Sequence, residues 1–363
     1  MLRLAAALLA SVLALACGGS ARPAEAPAHG PAAAPAPPAA SAAPAPPAAV
    51  GILQFTVTTA PDRALPAMVW YPAERPGNGA PPLLGRKLPV VAMSHGLNGR
   101  KHHAAFIADR VAAAGYVVAA VDHQNDGPGI VLQRPIDVTK LLDRLADRAA
   151  EPAWLADLAD LEHVAVYGQS FGGYTALALA GATIGPNPEW TAFCAAVPPP
   201  ALGCPAPTPG QMKTTSLRDP RVDAAIAATP AGFFQFGKAG TAAVEVPVLL
   251  LAGGKDQLMT PAAFVHPLFE HMKTPRWYVE LELAGHMTFV ELCDKVGKMP
   301  EPFDSEVRAQ CAPDAPLPLR TAQALIADMV VAALDHTLKG APAPDFAALA
   351  RSRGIAVRAE AAR

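Results

Sequence analysis

The sequence predicts an α/β fold, with a mostly parallel central sheet and helices on both faces. From residue 51 onward, β-rich apolar runs alternate with segments of helical periodicity, the pattern that builds such a sheet. Several runs, such as PVVAM at 89–93 and VPVLLLA at 246–252, are apolar at nearly every position, as strands buried on both faces must be.

Taken in order, the expected strands are 52–58 (ILQFTVT), 67–72 (AMVWYP), 88–94 (LPVVAMS), 116–121 (YVVAAV), 162–167 (EHVAVY), 222–228, 246–252 and 277–283 (WYVELEL). Helices are expected at 101–114, 136–150, 171–182, 260–272 and 318–338. The 136–150 stretch sets Ile136, Leu141, Leu142 and Leu145 on one face and its charges elsewhere. Residues 184–218 are proline-rich, interrupt the alternation and read as an insertion over the carboxyl edge of the sheet. The folded domain is thus expected over 51–340, with 341–363 as a C-terminal tail.

Composition excludes several functions. The 363 residues are 52% hydrophobic with a net charge of −2, so neither nucleic acid nor an anionic surface is an expected electrostatic partner. Residues 1–16, with Arg3 before an apolar run over 4–16, read as a signal peptide. Ala14 and Ala16 suit ordinary cleavage, whereas Cys17 before two glycines resembles a lipoprotein start. The chain is therefore expected to be exported, to the periplasm or an outer-membrane tether through Cys17, or otherwise secreted. Residues 17–50, largely Ala and Pro, cannot pack a core and read as a tether.

The chemistry centres on Gly168-Gln169-Ser170-Phe171-Gly172, between a strand and a helix-like run. This G-x-S-x-G pattern lifts its serine above the sheet on a sharp turn, with glycines where side chains would collide. Ser170 is the expected nucleophile, and the Phe171 N–H at the helix start can face a developing oxyanion. Asp256 follows the strand at 246–252 and His286 follows the one ending near 283, in the chain order nucleophile, acid, base. His286 would take the Ser170 proton, and Asp256 would orient it. Ser94-His95-Gly96-Leu97 follows the 88–94 strand, and the Leu97 N–H is the second expected oxyanion donor. His95, beside a loop glycine, reads as a brace for that loop. Asp122, Asp126, Asp219, Asp223 and Glu291 are competing carboxylates, read as surface or turn residues. No cofactor or metal is expected, since no phosphate loop, dinucleotide fingerprint or metal-ligand spacing occurs.

The stretches VVAMSHGLNG, GYVVAAVDH, RPIDVTKLLDRL, YGQSFGGYTALALAGA, DPRVDAAIAATP, VPVLLLAGGKDQLMTP and AGHMTFVELC span roughly 88–293. They resemble the bacterial branch of the α/β-hydrolase superfamily known as predicted dienelactone hydrolases, which is similar to platelet-activating-factor acetylhydrolases and polyester-cleaving cutinases. The resemblance implies a triad of Ser170, Asp256 and His286, with the oxyanion hole at Leu97 and Phe171. Dienelactone hydrolases use a cysteine nucleophile, so the label says little about substrate. The acetylhydrolases carry their acid after an earlier strand. Here Thr229-Pro230-Ala231-Gly232 offers no carboxylate there, which shifts the role to Asp256 and brings the arrangement nearer to cutinases and general esterases.

The expected activity is hydrolysis of small-molecule or lipid-like carboxylic esters by a monomer. A phospholipase or acetylhydrolase acting on short-acyl lipids is the first alternative, and a non-catalytic binding protein that retains the fold is the second. Apolar Leu97, Phe171, Met287 and Phe289, with Trp190 or Phe193, are expected near the substrate. With Cys17 set aside, Cys194, Cys204, Cys293 and Cys311 remain, and an oxidising compartment favours disulfides. Three connectivities are open. The local pairing, Cys194–Cys204 with Cys293–Cys311, closes the shortest loops and is the expected one.

Overall fold

Successive strand residues divide between separate cores. In Val248–Gly253, Leu249 and Leu251 pack into one core while Val248 and Leu250 pack into another. Leu88–Ser94 does the same, with Val91 and Met93 on one side and Val90 and Ala92 on the other. Side chains alternate across a strand, so a strand apolar at every position must be covered on both faces. The computed structural model describes residues 48–124, 129–196, 204, 213–301 and 303–363. The export segment, Cys17, the tether up to residue 47, Asp126 and much of the proline-rich insertion lie outside the described residues; the last two residues of the expected tether, Ala49 and Val50, open the first strand.

The strands are β1 (Ala49–Ala60), β2 (Arg63–Ala73), β3 (Gly77–Asn78), β4 (Leu88–Ser94), β5 (Val117–Val121) and β6 (Ala159–Gln169). They continue with β7 (Thr183–Ile184), β8 (Thr215–Ser216), β9 (Val222–Ala228), β10 (Val248–Gly253), β11 (Arg276–Leu281) and β12 (Val357–Ala362). All but β7 and β8 form one sheet in the order β12-β11-β10-β9-β6-β4-β5-β2-β1-β3. From β11 across to β5 every pairing is parallel; β12 and β2 join antiparallel.

The helices are α1 (Ala105–Ala113), α2 (Ile130–Ala146), α3 (Trp154–Leu158), α4 (Phe171–Leu179) and α5 (Pro188–Ala196). Then come α6 (Phe233–Thr241), α7 (His266–His271), α8 (Phe303–Gln310), α9 (Leu319–Lys339) and α10 (Phe346–Ser352). Residues of α1, α9 and α10 close one face of the sheet, and residues of α2, α3, α4, α6 and α7 close the other. Parallel strands bring the loops after β4, β6, β9, β10 and β11 to one edge, where ligands of such folds bind.

Two sequence expectations are corrected. Residues 341–363 are not a tail. Phe346, Ala350 and Ile355 are buried in the main core, and β12 pairs with β11 through six residues from Arg276↔Ala362 to Leu281↔Val357. Its alternating charges, VRAEAA, disguised an edge strand as polar sequence.

The second correction concerns α2, which starts at Ile130 rather than 136 and carries Pro135 inside. Proline has no N–H for the carbonyl four residues back, Val131. The Tyr174 hydroxyl donates to that carbonyl at 2.8 Å, so it is not left bare. The buried face is Val138, Leu141, Leu142 and Leu145, whereas Ile136 is 38% exposed.

Candidate active site

Ser170 stands between β6 and α4 with φ 57° and ψ −120°, a left-handed conformation that a serine adopts only when its surroundings force it. The surroundings do so by close approach. A Cβ on Gly168 would lie 1.9 Å from the Gly172 carbonyl oxygen, and one on Gly172 would lie 1.9 Å from that of Ser94. Only glycine fits at either position, and the turn draws α4 tightly under the loop after β4. The backbone of Ser170 is fixed further by its N–H donating to Ala228 O at 2.9 Å and its carbonyl accepting from Ala231 N at 3.0 Å. Phe171 begins α4, so its N–H lies at the helix N-terminus.

The loop after β10 carries Asp256 and the loop after β11 carries His286, both buried. His286 Nδ1 lies 2.7 Å from Asp256 Oδ2. A carboxylate only accepts, so Nδ1 is the donor of this bond, and in the neutral ring Nε2 is the nitrogen that accepts. The other Asp256 oxygen accepts the N–H groups of Leu258 and Met259, each at 2.8 Å, which holds the carboxylate still. His286 Nε2 lies 3.3 Å from the side-chain amide of Gln169, the residue before Ser170, so the basic nitrogen faces the elbow. Gly96 packs there too: a Cβ on it would lie 3.3 Å from Ser170 Cβ. The fold therefore brings Ser170, Asp256, His286 and the Leu97 loop to one place.

The competing carboxylates that are described have other partners. Asp122 pairs with Lys101, Asp219 with Arg221, Asp223 accepts the Val164 N–H, and Glu291 accepts the Phe106 N–H. Of the apolar residues expected near substrate, Phe289 and Trp190 are sealed in the interior, whereas Leu97 is 42% exposed. Phe171 is also buried, stacked on Tyr174 with the Arg134 guanidinium 5.1 Å above its ring.

Sequence reading missed Glu306, which lies behind His286 on α8. Its carboxylate accepts the Met287 N–H at 2.8 Å and the Gln310 side-chain amide at 2.8 Å. Burial raises its pKa against the pull of those donors. Disulfides join Cys194 to Cys204 and Cys293 to Cys311, the local pairing. The second ties the segment after His286 to the end of α8. Sequence reading also missed His123, Arg134 and Asp137, which are buried beneath the Leu97 loop. Among the described residues, no group of three or more His, Cys, Asp or Glu side chains is placed to hold a metal ion.

Comparisons agree with this architecture. A sequence model of the family described as platelet-activating factor acetylhydrolase, isoform II, matches residues 71–138. The solved ferulic acid esterase from Streptomyces cinnamoneus superposes with a TM-score of 0.57 at 20% identity, over 84% of this chain and 94% of that one. No curated protein sequence matches significantly. The fold is that of the α/β-hydrolases.

Proposed function

We propose that this chain hydrolyses carboxylic esters through an acyl-enzyme on Ser170. The observation that carries the reading is the 2.7 Å Asp256–His286 hydrogen bond, which holds His286 by Nδ1 and turns Nε2 toward the edge where Ser170 sits on its strained turn. In the reaction, Ser170 Oγ attacks the ester carbonyl while His286 Nε2 takes its proton. The charge that develops on the carbonyl oxygen is held by the N–H groups of Leu97 and Phe171. The imidazolium, stabilised by Asp256, returns the proton to the leaving alcohol. Water, activated by the same nitrogen, then releases the acid.

A short-acyl lipid substrate is the second reading, favoured by the family match over residues 71–138. Export is part of the proposal. The two disulfides suit an oxidising compartment, and the apolar run before Cys17 supports a signal peptide, followed either by lipidation at that cysteine or by ordinary cleavage and secretion. Purified protein is expected to react with a fluorophosphonate probe at Ser170 and to cleave p-nitrophenyl esters. Rates falling steeply beyond acetate and butyrate would favour the short-acyl reading. Absence of both labelling and ester cleavage would leave the non-catalytic alternative.

A further inference from the structure

Beneath the Leu97 loop lies a second serine–histidine–aspartate array that the proposed reaction does not use. Ser94 Oγ is 2.9 Å from His123 Nε2, and His123 Nδ1 is 2.9 Å from Asp137 Oδ2. All three side chains are closed off from solvent, with Ser94, His123 and Asp137 at 2%, 4% and 0% exposure, so no substrate reaches this serine. Arg63 forms an ion pair with Asp137, and Gln133 donates to it at 3.1 Å. Burial works to raise the Asp137 pKa, but the bonds from His123 and Arg63 outweigh it and hold the group ionised.

The tautomer of each ring is fixed by a partner that can only accept or only donate. Ionised Asp137 only accepts, so His123 Nδ1 carries the proton and Nε2 accepts from the Ser94 hydroxyl. The backbone N–H of His123 donates to His95 Nε2 at 3.0 Å. His95 must then carry its own proton on Nδ1, which donates to the Gly96 carbonyl at 2.7 Å. Arg134, fully buried, donates to the His95 carbonyl at 2.6 Å and reaches the Gly96 carbonyl at 3.4 Å. The N–H of Gly99 also reaches that carbonyl, at 3.1 Å, closing a turn in which Asn98 takes φ 57°.

The consequence follows from peptide geometry. The Gly96 carbonyl and the Leu97 N–H belong to one planar trans unit and point in opposite directions. Whatever orients that carbonyl aims that amide. We propose that Asp137, His123, His95 and Arg134 are positioning residues that aim the Leu97 N–H at the reacting oxygen, preorganising half of the oxyanion hole. The proposal rests on the reading of Ser170 and Leu97 given above. Loss of a single oxyanion donor costs on the order of 10²–10³ in kcat, so a misaimed one is expected to cost roughly tenfold or more.

The test replaces the donor and then restores it. His95→Phe keeps a flat ring but removes the hydrogen bond to Gly96; His95→Asn returns a donor to the Nδ1 position. The expected result for His95→Phe is a kcat loss of at least about tenfold with KM within about threefold, and an equal loss of affinity for a boronic acid that mimics the tetrahedral intermediate. His95→Asn should recover most of both. Asp137→Asn, nearly isosteric, should show the same split and carries the test if His95→Phe does not fold. Unchanged kcat, a rise in KM alone, or a kcat loss without loss of boronate affinity would overturn the proposal. Ser170→Ala run alongside separates the two readings: if it is inactive while the positioning variants are silent, only the positioning role fails, and if it stays active, the Ser170 reading fails.

Discussion

Glu306 accepts the backbone N–H of Met287 at 2.8 Å, which couples α8 to the residue after His286. Thr288 Oγ1 adds a hydrogen bond to Gln310 at 3.2 Å, and Gln310 precedes the Cys311 that bridges to Cys293. The loop carrying His286 is thus held by a helix whose C-terminal end is covalently pinned. Cys293→Ser should therefore lower thermal stability and esterase activity together. The bridge spans a sequence separation of 18, for which the chain-entropy model gives about 3 kcal/mol. Thermal melts and steady-state kinetics on the purified variant check this. Unchanged kcat despite a lower Tm would mean that α8 supports the fold without supporting His286.

Ser170→Ala should abolish ester cleavage and leave the fold intact, because it removes one hydroxyl and none of the backbone bonds that shape the elbow. Loss of a triad nucleophile costs on the order of 10⁶ in kcat. More than a tenth of the original activity in folded protein would refute the nucleophile assignment.

Asp256→Asn should cost roughly 10⁴ in kcat. The amide can present an N–H to His286 Nδ1, switching the ring to the tautomer in which Nε2 carries the proton and no longer accepts one from Ser170. Circular dichroism should be unchanged, since the bonds from Leu258 and Met259 to the remaining oxygen survive. Near-normal kinetics would put the acid elsewhere.

Much of this was legible in the sequence because local signals and tertiary demands agreed. The apolar runs at 88–94 and 246–252 became β4 and β10, and the glycines around Ser170 declared a turn that only they can make. What was illegible depended on partners far along the chain. The expected helix opens at 136, just after Pro135, and it is Tyr174, far along the chain, that satisfies the carbonyl Pro135 leaves without a donor inside α2. β12 is polar because it is an edge strand, and its place is set by β11 rather than by its own composition. His123 and Asp137 gave no motif spacing, since their hydrogen bond spans a strand end and a helix.

Tyr174→Phe tests the Pro135 accommodation. The ring stacks between Phe171 and Phe236, at centroid distances of 4.9 and 4.8 Å, and phenylalanine keeps both contacts. What is lost is the donor to Val131 O, which Pro135 cannot replace. An unsatisfied buried carbonyl costs about 1–3 kcal/mol, so urea denaturation should show a loss in that range. A neutral substitution would mean that the carbonyl finds another donor.

The last expectation concerns acid stability. Burial pushes the pKa of His123 down to about 4, against 6.5 for an ordinary histidine, and the Asp137 hydrogen bond only partly offsets this. The unfolded chain therefore takes up a proton at His123 as pH falls below about 6.5, whereas the folded chain does not until about pH 4. Across that window the unfolded state binds more protons, so stability declines as pH falls and levels off below it. The difference corresponds to a loss of up to about 3 kcal/mol from this one residue. His123→Gln cannot take up that proton, and its amide can still donate toward Asp137 while its carbonyl accepts from Ser94. Denaturation measured at pH 7 and pH 4.5 should show a markedly smaller decline in the variant than in the parent. Equal declines in the two proteins would assign the acid sensitivity to other groups and refute a buried neutral His123.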